Sequence, residues 1–560
     1  MTDEPRPPQR KWGLLAALVA GAFALGAVGA AALLMNIAEK KQEAKNRYVK
    51  LVAVTENDVD PAKWGINWPR EYDGYKRTSD PTYTKYGGGG GSEALPPQKA
   101  ARDPWLTRLF AGYLFSVDYR DRRGHGFMLT DQENTKRNVP AEAKQSGNCL
   151  HCHASIMSLY RKLGREAAPQ ATGAEQIQTG LVAVGNLGYW DAHKALEQLS
   201  GGKAHPVSCV DCHDPGSMEL RVTRPAFITG IQKLAAGKGE VPHLPSIERW
   251  RKGDRARPYD PNLDATRQEK RSYVCAQCHV EYFCGKGTTV FFPWGEGLKV
   301  EEIESLYDGM QVKGARFKDW THAETGMEVL KAQHPEFEVW SQGLHARSGV
   351  ACADCHMPYR RDGAQKVSEH WVRSPILSPS RSCATCHPYG DEEIKSRVAT
   401  IQERHFALLT RAGQAAVAML DAIDAVRKPY DDENRPAAAA RAKETLEKNA
   451  DFVRLPKDEQ EKKVAAETKA NLLASWRAVV EKNPAIKELG ELQRAAQWRL
   501  DFVAAENSMG FHAPQEMARI LGEAIDLSRQ AEVKSSALLG GRLPAPAAVV
   551  AEKGEKKPVR

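Results

Sequence analysis

Aromatic side chains are few in this 560-residue chain, at 8% of the total. A chain long enough for two or three domains with substantial cores therefore calls for something besides side chains to fill its interior. Between residues 105 and 388 no run of alternating polar and apolar residues occurs, which excludes an extensive sheet there. The formal net charge of +8 is modest for the length; it makes no case for nucleic acid as a partner, although a local positive field could draw in a small anion. Unpaired cysteine is also nearly absent. Only Cys284 stands apart, and it reads as a small buried hydrophobe with a free thiol, close in sequence to a cofactor segment.

The other ten cysteines form five copies of Cys-x-x-Cys-His: Cys149/Cys152/His153, Cys209/Cys212/His213, Cys275/Cys278/His279, Cys352/Cys355/His356 and Cys383/Cys386/His387. Each copy can attach one haem covalently, the sulfurs taking the vinyl groups and the histidine ligating the iron. Structural zinc does not require a histidine after every second cysteine, and a thioredoxin-like centre occurs once beside a βαβ pattern. Five c-type haems also account for the scarcity of aromatics, since porphyrins supply much of the apolar core, and their propionates offset much of the positive charge.

An uncharged apolar run covers residues 12–38, preceded by Arg6, Arg10 and Lys11 and closed by Glu39, Lys40 and Lys41. It is long enough to span a bilayer and reads as an uncleaved signal anchor; removal near residues 26–32 is the alternative. Charge lies on both sides, so the positive-inside bias does not orient it. Haem attachment does, because in bacteria it takes place outside the cytoplasmic membrane. The expected division is a cytoplasmic N-terminus (1–11), the anchor or signal segment (12–38), a Pro- and Gly-rich connector (39–100) pinned by Trp64, Trp68 and Tyr72, a pentahaem domain of short helices and loops (101–390), a long-helix region (391–541) and a flexible tail (542–560). The fold expected is mainly α. Helices are expected over 392–428, 436–454, 457–481, 489–505 and 514–538, from apolar spacing such as Phe406, Leu409, Ala412, Ala416, Leu420 and Ile423. Such helices either pack on a second subunit or form a bundle within one.

Attachment motifs serve electron carriers and redox enzymes alike. Five of the sixteen histidines lie in the motifs, leaving eleven. If every iron gains a second histidine the protein is a wire; if one keeps an open face, a small molecule can bind and be reduced there.

Segments around the motifs carry a resemblance: Cys275-Ala-Gln-Cys-His-Val-Glu-Tyr282, Lys331-Ala-Gln-His334-Pro-Glu, Asp319-Trp-Thr-His322, His512-Ala-Pro and Arg123-Gly-His125. In order and spacing, from about residue 105 to 538, the chain resembles the pentahaem cytochrome c nitrite reductases, which reduce nitrite to ammonium. The resemblance implies a catalytic haem at Cys149/Cys152, with Arg137, Tyr282 and His334 around the substrate. It implies distal ligands His370, His125, His512 and His345 for the second to fifth haems, leaving one iron open. It also implies one calcium ion at Glu281, the carbonyls of Tyr282 and Lys331, and Gln333. Most members place lysine after the first motif; here the residue is His153, as in a minority branch. His151, inside that motif, reads as an exposed loop residue. His193, His205, His243 and His405 have no counterpart and read as solvated or hydrogen-bonded, His322 as supporting or structural, and Tyr273 and Phe292 as packing residues. Implied partners are nitrite, a membrane quinol dehydrogenase or multihaem cytochrome as electron donor, and a second copy in a homodimer.

These residue types suit the chemistry. Arg137 can hold an anion through charge-assisted hydrogen bonds, His334 can cycle a proton, Tyr282 can donate one, and a dication raises the local potential. Two other readings stay open: an electron-transfer cytochrome with every iron six-coordinate, and a related multihaem enzyme acting mainly on hydroxylamine, nitric oxide or sulfite.

Overall fold

The computed structural model describes residues 12–46, 50–87, 95–138, 145–284, 289–363 and 365–541. Much of the glycine run, and the segments 1–11 and 542–560, lie outside the described residues.

Each attachment motif lies on or beside a helical turn. The first spans the turn Gly147–Cys149 and the helix Leu150–His153, the second the helix Cys209–Cys212, and the third leaves the end of Arg267–Ala276. The fourth is the helix Cys352–His356, and the fifth follows Pro379–Ser382. Residues three and four apart share a helix face, so one turn presents two sulfurs and an imidazole to the same side. Local capping fixes two of these turns: Ser208 with Asp211 before the second motif, and Thr266 with Glu269 before the third.

Among the described residues, strand is confined to three two-stranded antiparallel hairpins, Gln311–Val312 with Ala315–Arg316, Trp320–Thr321 with Glu328–Val329, and Tyr359–Asp362 with Gln365–Ser368. The fold is mainly helical, as the sequence implies. Its C-terminal helices, Asp391–Glu447, Lys457–Lys482, Pro484–Ala505 and Pro514–Leu538, pack on one another. Their core includes Leu409, Leu420, Ile423, Trp498 and Leu521, and it runs without a break into Trp105, Phe110 and Trp320 of the motif-bearing region. Separate apolar clusters lie around Leu150 to Leu196 and around Phe227 to Trp340, the latter including Tyr273 and Phe292.

The boundary that differs most from expectation lies at two prolines; the helix expected from residue 489 also begins earlier, at Pro484, and the one expected to reach 454 ends at Glu447. The predicted stop before Pro436 does not occur; a single 57-residue helix passes through Pro429 and Pro436. Both prolines are exposed, on the side where water can take up the carbonyls their rings leave unpaired. Within the connector, Trp64 and Trp68 are buried against Val59 and Val210, so this segment is packed onto the second motif. The helix Trp12–Asn46 runs past the apolar stretch; its span Gly13–Lys40 is long and apolar enough to cross a membrane, with none of it buried.

Candidate haem and anion site

Four of the five motif histidines face a second imidazole. Ring centroids are 6.2 Å apart for His213 and His370, and 6.3 Å for His279 with His125, His356 with His512, and His387 with His345. Two metal–nitrogen bonds of about 2 Å and two ring radii of about 1.1 Å place imidazole centroids roughly 6.2 Å apart across one metal ion. The spacing therefore fits an iron between each pair. No such partner faces His153 among the described residues.

Backbone carbonyls set the tautomer. Nδ1 of His153, His213, His356 and His370 donates to Met128, Met218, Arg373 and Ser368 at 3.0, 3.0, 3.1 and 2.9 Å. That leaves Nε2 as the ligating atom and fixes each ring's plane. Gly343 has a related role: a Cβ there would lie 2.0 Å from the His512 carbonyl oxygen, so only glycine lets the segments bearing His345 and His512 pass.

The motif cysteines also order the sites. Cys152 of the first motif contacts Cys278 of the third, and Cys275 of the third contacts Cys352 of the fourth. Cys355 of the fourth senses Cys383 of the fifth, and Cys212 of the second senses Cys278. The connectivity runs fifth, fourth, third, first, with the second joining at the third.

The fifth motif is less enclosed than the other four. Cys386 is exposed, whereas the other nine motif cysteines are half-buried. The physical reason is its place in the fold. Residues 384–390, His387 included, are all exposed, because this stretch only bridges the short helix Pro379–Ser382 and the start of the long helix Asp391–Glu447. The Thr385 hydroxyl lies 3.9 Å from the Cys386 sulfur. Attachment asks that a vinyl group reach the sulfur, which exposure permits; what Cys386 does not do is help enclose a core.

Around His153 the structure gathers the three expected side chains. Arg137 is half-buried, its Nε 3.2 Å from Thr135 Oγ1 and its guanidinium 4.3 Å from the centre of the Phe115 ring. Burial lowers the His153 pKa, with the Arg137 charge among the further causes. The Tyr282 hydroxyl is raised well above its usual range by burial and the nearby thiols, with Arg137 opposing. His334 is held well below its usual value by burial, then by His279, Lys99 and His153. Such a pocket can bind and orient a small anion and supply protons to it.

Two supports were not legible in the sequence. Buried Asp118 clamps the arginine segment: its Oδ2 accepts from Thr135 Oγ1 at 3.0 Å and from the Lys136 amide at 2.8 Å. Lys99, 5% exposed, donates to the Tyr119 hydroxyl at 3.2 Å, and burial lowers its pKa to about 7. Both residues come from the connector and its continuation, tens of positions from the nearest motif, so only the fold joins them to the site.

The expected calcium residues also meet. Glu281 is wholly buried; its Oε2 accepts from the Gln333 amide at 2.6 Å and its Oε1 from the Tyr307 hydroxyl at 3.0 Å. No cationic side chain pairs with it among the described residues, and burial raises its pKa well above the usual carboxylate range. Glu338 lies behind it, Oε1 accepting from the Glu281 amide and Trp294 Nε1 while Oε2 has no partner. Buried carboxyls without a counter-charge fit a bound cation. No cage of three or more His, Cys, Asp or Glu side chains forms among the described residues. The set expected here needs only one carboxylate, the rest being carbonyls and a carboxamide.

Of the other histidines, His151 and His243 differ from their sequence readings, whereas His193 and His322 agree with theirs. His151 is fully buried, Nδ1 2.8 Å from the Tyr160 hydroxyl, because the turn that carries the motif faces the apolar cluster around Tyr160. His243 is half-buried beside Trp340 with both ring nitrogens shut away and unpartnered. His193 binds Glu133 at 2.7 Å, and His322 is structural, tied to the Arg108 carbonyl at 2.9 Å. Cys284 is half-buried, its pKa raised by burial and then by Cys149 of the first motif.

Comparison with known proteins agrees with this geometry. The family model for cytochrome c552 matches residues 60–554. Cytochrome c-552 of Parabacteroides distasonis is 30% identical over 535 residues, 94% of this chain and 86% of that protein. The cytochrome c nitrite reductase subunit NrfA of Nitratidesulfovibrio vulgaris is 29% identical over 534 residues, 91% of this chain and 84% of that one. Among solved structures, the catalytic subunit of cytochrome c nitrite reductase from Desulfovibrio desulfuricans, which has two calcium sites, superposes with a TM-score of 0.63 over 88% of each chain at 24% identity. That likeness establishes the shared fold.

Proposed function

The chain belongs to the cytochrome c552 family, and from that premise we propose that it is a c-type multihaem oxidoreductase that reduces nitrite to ammonium. The observation carrying this reading is the asymmetry of the five motif histidines. Four face a second histidine at iron-spanning distance, while His153 is surrounded by Arg137, Tyr282 and His334.

On this reading the protein holds five haems. His213, His279, His356 and His387 are proximal ligands, with His370, His125, His512 and His345 distal, and His153 is the proximal ligand of the catalytic haem. That haem supplies the iron at which nitrite binds and receives electrons. Arg137 binds the anion through its guanidinium and orients the oxygens. Burial keeps His334 neutral at physiological pH, ready to accept a proton from water and release it to a departing oxygen. The Tyr282 hydroxyl stays protonated and donates a hydrogen bond. Eight protons and six electrons turn one nitrite into one ammonium and two waters, so each proton-carrying group must be recharged during turnover.

Glu281, the carbonyls of Tyr282 and Lys331, and Gln333 hold one calcium ion, which relieves the buried carboxyl and adds positive potential behind Tyr282. The N-terminal apolar helix anchors the protein to the cytoplasmic membrane, with the remainder in the periplasm. Electrons come from a membrane quinol dehydrogenase or another multihaem cytochrome, and the long C-terminal helices pair two copies in a homodimer.

The test is ammonium formation by the purified five-haem protein with nitrite and a reduced dye. Six dye electrons consumed per ammonium formed support the reading. No nitrite-dependent dye oxidation, or faster turnover of hydroxylamine, nitric oxide or sulfite by kcat/KM, sinks it.

A further inference from the structure

One haem histidine is held differently from those that donate to backbone carbonyls. Nδ1 of His512 lies 2.6 Å from Glu506 Oε1, an ion-pair approach whose N–H is not aligned as a hydrogen bond, and neither atom has a hydrogen-bond partner among the described residues. The Glu506 side chain is fully buried and forms no ion pair with lysine or arginine among the described residues. Its second oxygen is fixed by Ser508, whose amide donates at 2.9 Å and whose hydroxyl donates at 2.8 Å, and that hydroxyl in turn accepts from the His512 amide at 3.0 Å. The carboxylate and the histidine are thus locked together by a closed local loop.

We propose that Glu506 is a positioning residue that lowers the reduction potential of the fourth haem by acting through His512, whose Nδ1 meets a carboxylate while that of His356 opposite it donates to the Arg373 carbonyl. The inference rests on the assignment of His512 as distal ligand opposite His356. A buried carboxylate 2.6 Å from Nδ1 stabilises positive charge on the ring and makes the imidazole a stronger electron donor. It also leaves one buried negative charge beside the ligand. Both effects stabilise ferric over ferrous iron. No proton need leave the histidine. A weaker version exists at the third haem, where Glu336 Oε2 is 4.0 Å from His279 Nδ1. The approach of Cys275 to Cys352 and the electrostatic nearness of Cys383 to Cys355 put the fourth motif between the third and the fifth. A low potential there makes an arriving electron pass on toward the first haem instead of resting midway.

The test is a potentiometric titration of the full-length five-haem protein, followed by EPR of its low-spin components. In Glu506→Gln one low-spin component is expected to shift upward. At the wild-type midpoint its ferrous to ferric ratio rises about tenfold, equivalent to about 59 mV for one electron. The high-spin signal and the remaining components stay in place. His512→Ala must convert that same component to high spin. If the glutamine variant fails to assemble, Glu506→Asp, which keeps the charge but withdraws it by one methylene, should move the component upward by less. No upward movement in whichever variant assembles overturns the inference, as does movement of a component that His512→Ala leaves low-spin. If His512→Ala converts no component, the ligand assignment fails and this inference with it. Ammonium formation at the first haem is a separate readout and can survive either failure.

Discussion

The site at His153 and the four paired sites use one sequence motif and are built into different surroundings. At the paired sites the second imidazole comes from a segment remote in sequence, so each site is closed by protein on both sides. At His153 no second imidazole faces the motif histidine among the described residues; Arg137 and His334 are near enough to act on its charge, Tyr282 is near Cys149, Cys152 and Arg137, and Asp118 clamps the arginine segment. Motif identity therefore says where cofactors attach, whereas chemistry depends on what the fold brings to the other face.

The largest effects should come from dismantling that face. Arg137→Ala or His334→Ala is expected to lower nitrite turnover by about 100-fold or more, the range for removing one charge-stabilising or proton-transferring group. All five haems should stay attached, as checked by mass and pyridine haemochrome. Near-native turnover in both variants would erase the distinction between the first site and the others.

Opening a paired site sharpens the comparison from the other direction. His345→Ala should create a second high-spin haem visible by EPR. It should add no nitrite turnover, because the ring stacked on His345, at 5.9 Å, is Phe511, which brings neither a charge nor a proton to the opened face.

Calcium removal probes the buried acids. Burial raises Glu338 to about 8, above the usual 4.5, so the folded protein binds more protons than the unfolded chain between those values. Stability must then fall as pH rises through that window. Chelator-treated protein should lose Tm from pH 5 to pH 8 in a thermal melt. Calcium should flatten the slope by favouring the ionised form, and Glu338→Gln should remove part of it. The smallest effect is expected from Asp118→Asn. Loss of the charge that holds Thr135 and the Lys136 amide should cost about 1–2 kcal/mol in positioning, read as a roughly tenfold rise in KM for nitrite with little change in kcat.

Legibility in the sequence followed the physical origin of each feature. The C-terminal helices were readable because their apolar spacing is local; the ends at Glu447 and Pro484 were missed, as was the continuity through Pro429 and Pro436, since a proline's cost depends on whether its carbonyl partner meets water. Attachment turns were readable from the motifs themselves, but the exposure of Cys386 was not, since it depends on what the rest of the chain leaves uncovered. The four histidine pairs, brought together over separations of tens to more than a hundred residues, could be named beforehand only through family resemblance. Asp118, Lys99, Glu338 and Glu506 carry no local signal. Each matters because of a neighbour far away in the chain, and burial, which no short window of sequence reports, gives each its altered chemistry.

The most direct test of a single open iron at His153 is an EPR titration of the five-haem protein with nitrite. One high-spin haem in five, converted by stoichiometric nitrite in the intact protein and only at much higher concentration in Arg137→Ala, is the predicted result. A protein with every haem low-spin and indifferent to nitrite would contradict it and leave an electron conduit in place of an enzyme.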